Sequence, residues 1–199
     1  MSGALTDGER ELRRRLDEIV RACGPLTRVL ETARALVLPD HLVFSGAVYQ
    51  PVLNRLTGRA ADYGIKDYDL GYFDASDLSY EAEDAVIRCV GAALDAPLRN
   101  RVEVRNQARV HLWFEAHFGE PYAPLSCTAE ALRRFASTIS AIGVRLEPNG
   151  ALYVEAPFGL ADLFALRLRP NPCRATPNFA QATASVRQRW PELAVVVAP

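Results

Sequence analysis

Lysine is nearly missing from this 199-residue chain: of 23 basic residues 22 are arginine, and Lys66 is the exception. Such a skew most often reflects genomic base composition, yet the one lysine retained stands beside Asp67. The four cysteines (Cys23, Cys89, Cys127, Cys173) form no C-x-x-C pair. That argues against structural zinc and fits free thiols in a reducing cytoplasm. No apolar stretch approaches the roughly 18 residues that a membrane span requires. Segment 1–15 is charged and has no apolar signal core, so export is not expected. The net charge of -1 lacks the positive excess of a bulk electrostatic nucleic-acid binder. P-loop, G-x-G-x-x-G, H-E-x-x-H and G-x-S-x-G motifs are all absent. There is no internal repeat, low-complexity tract or long linker.

What is present is a globular composition, 49% hydrophobic and 24% charged, sized for one ordinary domain or a domain with an extension. Thr6-x-x-Glu9 can form a capping box before a helix carrying Leu12, Leu16, Ile19, Val20 and Cys23. Gly24-Pro25 ends it and opens a second helix. Residues 1–38 therefore read as a helical pair appended to a core of residues 39–199. Leu42-Val43-Phe44 is a short strand running into Ser45-Gly46, where a helix resumes despite an awkward Pro51. The run 65–73 reads as a strand. Leu78, Ala82, Ala85, Val86, Cys89, Val90 and Ala93 then mark one helix face. Segment 101–105 alternates strictly and reads as a strand. Asn106 can cap a helix through Val110, Trp113, Phe114 and Phe118. Segment 129–137 is predicted helical, 143–146 and 151–155 form a hairpin, 159–168 holds a short helix or strand, and a last helix spans 179–190 before a short strand at 194–197.

The chemistry concentrates in three elements. Asp67 and Asp69 alternate with apolar residues and so point to one strand face, about 7 Å apart at Cα. Two carboxylates aimed at one spot repel, and a divalent cation removes the penalty. Mg²⁺ takes one or two carboxylates plus substrate phosphates, which suggests phosphoryl or nucleotidyl chemistry. The bland alternative is a polar edge-strand face in water. Glu103, opposite in facing to Val102 and Val104, can join the pair if its strand lies beside the aspartate strand. Two Mg²⁺ ions about 3.5–4 Å apart could then be held for in-line displacement at phosphorus. Ser45-Gly46, before a helix N-terminus, lets backbone N–H groups approach a phosphate.

In this order the motifs resemble the DNA polymerase beta-like nucleotidyltransferase superfamily, and more closely a group of bacterial nucleotidyltransferase family proteins. The stretches that carry the resemblance are Ser45-Gly46-Ala47, 65–74, 77–84, Asn106-Gln107-Ala108-Arg109-Val110-His111, Gly143-Val144-Arg145-Leu146, Ala156-Pro157-Phe158-Gly159-Leu160 and Leu168-Arg169-Pro170-Asn171-Pro172. The resemblance implies an α/β (α+β) fold with a mixed sheet flanked by helices. It also implies Asp67, Asp69 and Glu103 as catalytic metal ligands, and Ser45 and Gly46 at the triphosphate. Three departures stand out: Ala47 where glycine or serine is common, glutamate as third acid, and a long gap from Gly46 to Asp67 that suggests a loop over the site.

Further candidates carry alternatives. Lys66 contacts a phosphate or, as a strand neighbour of Asp67, faces away. Arg109 stabilises triphosphate charge or forms a salt bridge supporting an acidic cluster. His111 is a general base, a substrate contact or structural. Asn106 reads as a cap, and His117 as surface. Trp113 and Phe114 read as core rather than base-stacking groups. Tyr68, Leu70 and Tyr72 pack against a helix, while Phe73 shares the aspartate face and could border a nucleotide. Asp74 and Asp77 are turn and cap residues. The expected activity is transfer of a nucleoside monophosphate from an NTP, with Mg²⁺ or Mn²⁺, to an acceptor that is more readily a small molecule or protein than nucleic acid. The rival expectation is a catalytically inactive nucleotide-binding or protein-interaction module on the same fold.

Overall fold

The computed structural model describes residues 5–174, 176 and 179–196. Its main sheet contains β1 (Leu42–Phe44), β2 (Tyr68–Tyr72), β3 (Val102–Asn106), β4 (Gly143–Leu146) and β5 (Leu152–Glu155), in the order β3-β2-β1-β4-β5. β2 and β3 run parallel, which requires a crossover; the other pairs are antiparallel. The longer helices are α1 (Asp7–Ala22), α2 (Gly24–Ala35), α3 (Gly46–Leu56) and α4 (Tyr80–Ala92), with α4 in the β2–β3 crossover. Arg167–Leu168 (β6) and Ala194–Val195 (β7) form a small parallel pair; residue 197, expected in that last strand, lies outside the described residues. None of the described helices is long and apolar enough to cross a membrane.

The period of two along each strand divides the sheet into two unlike faces. Val43, Tyr68, Leu70, Tyr72, Val104, Val144 and Val154 turn toward the helices, Val104 toward α4, and share one buried cluster with Leu16, Val20, Leu26, Val29, Leu30 and Val90. The N-terminal helices thus contribute to the same core as the sheet. Thr6 caps α1 by accepting from the Glu9 amide, but Glu9 does not complete the box: its carboxylate accepts from the Leu160 amide and pairs with Arg13. The opposite sheet face buries only a small cluster, Leu42 and Phe44 with Leu132 and Ala141. Asp69, Gly71, Glu103 and Arg105 lie on this second face by alternation with the core residues.

Several elements differ from the sequence reading. In α4 the face turned inward holds Glu83, Val86, Ile87 and Val90, whereas Ala85 and Cys89 are exposed. Helix α4 begins at Tyr80 with Ser79 as its cap, and Leu78 precedes it. A buried charge at Glu83 rotates the stripe away from the one that hydrophobicity alone marks. The helix expected after Asn106 is a 3₁₀ turn (Val110–Leu112) followed by a short helix, Phe114–Phe118. Asn106 ends β3 instead, and its amide both accepts from the Asp74 N–H and donates to the Asp74 carbonyl. Segment 129–137 holds a 3₁₀ helix, Thr128–Arg134. The loop after α3 does not lie over the carboxylates. Asn54 donates to the carbonyls of Ala61 and Tyr63, Trp190 donates to Asn54, and Tyr63 packs edge-on against Trp190 at 5.8 Å.

Candidate active site

The parallel pairing of β2 and β3 sets Asp69 directly opposite Glu103. Both side chains therefore rise from the less covered sheet face. Asp67 precedes β2 by one residue and is exposed. The segment that carries it is tied down by Arg101, which donates to the carbonyls of Ile65 and Lys66 and accepts from the Tyr68 N–H at 2.7 Å. Burial, then the neighbouring Asp67 and Glu103 carboxylates, push the Asp69 carboxyl up to about 7. Arg105, two residues beyond Glu103 on the same face, works in the opposite direction.

Ser45 and Gly46 form the turn between β1 and α3. Ser45 has φ 59° and ψ −128°, a conformation that glycine tolerates and serine does not favour. The Ser45 N–H donates to Ile142, while its carbonyl accepts from both Val48 and Tyr49 as the first turn of α3 closes. A side chain at Gly46 would meet the Gln50 amide 2.8 Å away. Burial raises the Tyr49 phenol, and Asp67 and Asp69 lie close enough to add to that effect. The glycine turn, the start of α3 and the aspartates thus form one neighbourhood. Lys66 is exposed beside Asp67.

Two expected contacts are placed elsewhere. Arg109 does not reach the carboxylates. Its guanidinium pairs with the buried Glu83 and donates to the Leu78 carbonyl at 2.9 Å. Glu83 also accepts from the Asn106 N–H at 2.7 Å. The arginine therefore fastens α4 to the end of β3, which is the salt-bridge alternative and not a phosphate contact. His111 stands on the 3₁₀ turn with a buried Nδ1 that has no hydrogen-bond partner, and it does not line the cleft described next. Phe73 does not line that cleft either; its N–H donates to the Pro39 carbonyl.

A cleft of about 290 Å³ opens from the acids. It is lined by Asp69 and Glu103, by Phe44, Arg105 and Gln107 of the sheet and its edge, and by Trp113, Phe114, Tyr122, Arg134 and Phe135. Trp113 and Phe114 are half-buried and line this space, so the core assignment from sequence is corrected. Arg105 was readable from its position two residues after Glu103. Tyr122 comes from an irregular segment, and Arg134 and Phe135 from the end of the 3₁₀ helix Thr128–Arg134; nothing local marked any of them as lining a site.

A divalent metal fits part of this arrangement. Asp69 is raised first by burial and then by two neighbouring carboxylates, a repulsion that a cation would relieve. Yet among the described residues no three His, Cys, Asp or Glu side chains converge closely enough to cage an ion. The donor set matches a metal that takes few protein oxygens and completes its shell from phosphates, as Mg²⁺ does.

Comparison with known proteins agrees with this architecture. A solved structure described as revealing a CCA-adding enzyme head domain superposes with a TM-score of 0.73, at 21% identity, over 93% of this chain and 96% of that one. No curated protein matches the chain. The sequence pattern of a family described as nucleotidyltransferase matches residues 31–195, from within α2 to the last strand. With its mixed sheet, its acids on adjacent parallel strands and a family match over most of its length, the chain belongs to the nucleotidyltransferase family.

Proposed function

We propose that this protein transfers a nucleoside monophosphate from an NTP to a hydroxyl-bearing acceptor, with Asp67, Asp69 and Glu103 as the catalytic carboxylates. The observation that carries the proposal is the register of β2 and β3, which pairs Asp69 with Glu103 on an incompletely covered sheet face. A divalent cation brought with the nucleotide, Mg²⁺ or Mn²⁺, would neutralise the carboxylates and the developing phosphate charge. Asp67 and Asp69 would hold it beside the triphosphate. The backbone N–H groups of Gly46 and Ala47, at the N-terminus of α3, bind phosphate oxygens. Lys66 adds a cation from the exposed side. In the transfer, the acceptor oxygen bonds to the α-phosphorus while the bond to the pyrophosphate oxygen breaks. The hydroxyl proton passes to Glu103 or to solvent. Arg109 acts at a distance, by holding β3 through Glu83. The four unpaired cysteines support a reducing, cytoplasmic setting.

The test is pyrophosphate release, with thermal stabilisation by NTP and Mg²⁺ or Mn²⁺ measured in parallel. Asp67→Asn and Asp69→Asn should each abolish turnover while the fold persists. Full turnover by the double variant would sink the mechanism. The lack of a converged three-ligand cage among the described residues favours, as a second reading, a nucleotide-binding module without catalysis. Its signature is stabilisation by NTP with no pyrophosphate released against any acceptor.

A further inference from the structure

The aromatic cleft beside the carboxylates has a polarity that bears on the acceptor. We infer that it is the acceptor subsite, and that it takes a small hydroxyl-bearing molecule with one flat ring and one anionic group. The inference rests on the nucleotidyl-transfer reading above and names the substrate class that the reading leaves blank.

Position comes first. The cleft begins at Asp69 and Glu103, and none of Ser45, Gly46, Lys66 or Asp67 lines it. The Ser45-Gly46 turn and the cleft therefore present different residues to the acids, with Phe44, at the end of β1 just before the turn, in the cleft wall. In-line displacement needs space at the carboxylates for the acceptor oxygen apart from the leaving pyrophosphate, and the cleft is space at Asp69 and Glu103 that the turn does not line.

Shape and charge define the occupant. Trp113, Phe114 and Tyr122 line the cleft, with the Phe114 and Tyr122 rings 4.6 Å apart. Rings left half-buried along a cleft offer stacking surface to a flat ligand. Elsewhere in the wall the Arg134 guanidinium sits 5.1 Å over the Tyr122 ring and forms no ion pair among the described residues. Glu130 lies within its electrostatic reach, but that carboxylate accepts from the Ser126 N–H and hydroxyl. Of the other two lining arginines, Arg174 is paired with Glu120 and Arg105 stands 4.0 Å from Glu103. One unpaired cation matches one anionic group. A volume of about 290 Å³ accommodates a single ring with its substituents, beside a second hollow of about 610 Å³ that shares Phe114, Tyr122, Arg134 and Arg174. The acceptor hydroxyl then points back to Glu103, with the ring between the two charged groups.

Binding is read from tryptophan emission. The chain has two tryptophans, and Trp190 is fully buried away from the cleft, so a ligand in the cleft reports through Trp113. The probes are 4-hydroxyphenylacetate (ring, charge, hydroxyl), tyrosol (ring and hydroxyl, no charge) and 3-hydroxypropionate (charge and hydroxyl, no ring). Saturable binding of the first, about tenfold tighter than the other two, is expected from one charged hydrogen-bonded contact and one stacking contact. Arg134→Ala should reduce the first probe to the affinity of tyrosol and leave tyrosol unchanged. Tyr122→Leu should weaken both ring-bearing probes, and Tyr122→Phe should restore them. Equal binding of all three probes, or no saturable response, overturns the inference. So does displacement of the probe by a short single-stranded oligonucleotide that binds more tightly, which would mark a polynucleotide end as the acceptor. Stabilisation by NTP with Mg²⁺ is measured on the same samples. If it persists while the probes fail, only the acceptor assignment falls. If it is absent while the probes bind as expected, the cleft is no acceptor site and the transferase reading fails with it.

Discussion

Asp69 should make the metal-free protein less stable than its own asparagine variant. The carboxyl is half-buried, accepts no hydrogen bond among the described residues, and is raised from 3.8 to about 7 by burial and by Asp67 and Glu103. An interval of about three pH units corresponds to about 4 kcal/mol at 1.36 kcal/mol per unit. Partial access to water reduces this to about 1–2 kcal/mol. The sign follows from the direction of the change. A carboxyl whose folded-state pKa is raised stabilises the fold while protonated; that contribution is complete below about pH 4 and is lost as pH climbs toward 7. Asp69→Asn removes the loss. In EDTA at pH 8 the variant should unfold about 2–8 °C above the natural chain, using about 2–4 °C per kcal/mol for a chain of this size. The advantage should fade as the pH falls toward 4. Mg²⁺ or Mn²⁺ should stabilise the natural chain more than the variant, because the natural chain has one more carboxylate, the most buried of the three, to be relieved. Scanning calorimetry between pH 4 and 8, with and without metal, measures all three. A variant no more stable than the natural chain at pH 8, or a gain that does not shrink on acidification, would refute the reasoning.

Glu83→Ala should cost about 3–5 kcal/mol in urea denaturation, because it strands the buried Arg109 guanidinium and the Asn106 N–H. Glu83→Gln, which keeps an acceptor for Asn106, should cost less, and equal losses would argue against the ion pair. Ser45→Gly should stabilise the fold by about 1 kcal/mol by relaxing the φ 59°, ψ −128° conformation, observed as a higher urea midpoint at unchanged slope. Leu30→Ala, at a fully buried position of α2, should cost about 2–5 kcal/mol and lower one cooperative transition of the whole chain. A separate early transition would show instead that the N-terminal helices unfold apart from the sheet.

Some of this protein is decided by short-range chemistry and can be read residue by residue. Alternation alone put Asp69 on the face opposite Tyr68 and Leu70 and Glu103 opposite its flanking valines, whereas Asp67, expected on the same strand face, precedes β2. The Pro148-Asn149-Gly150 turn between β-forming runs specified the β4–β5 hairpin, whose strands pair Gly143 with Glu155 through Leu146 with Leu152. Thr6 announced the start of α1. These signals survive because the turns and strand periods involved span only a few neighbours. Tertiary structure decided the rest. That β3 lies parallel to β2, in the register joining Asp69 to Glu103, depends on a crossover through α4 that no local pattern encodes. Arg109 looked the same in sequence whether it met a phosphate or Glu83, because its partner lies 26 residues away. The aromatic cleft had no local signature: its rings come from β1, the short helix after β3 and an irregular segment, and only their packing over an uncovered sheet face makes them a wall.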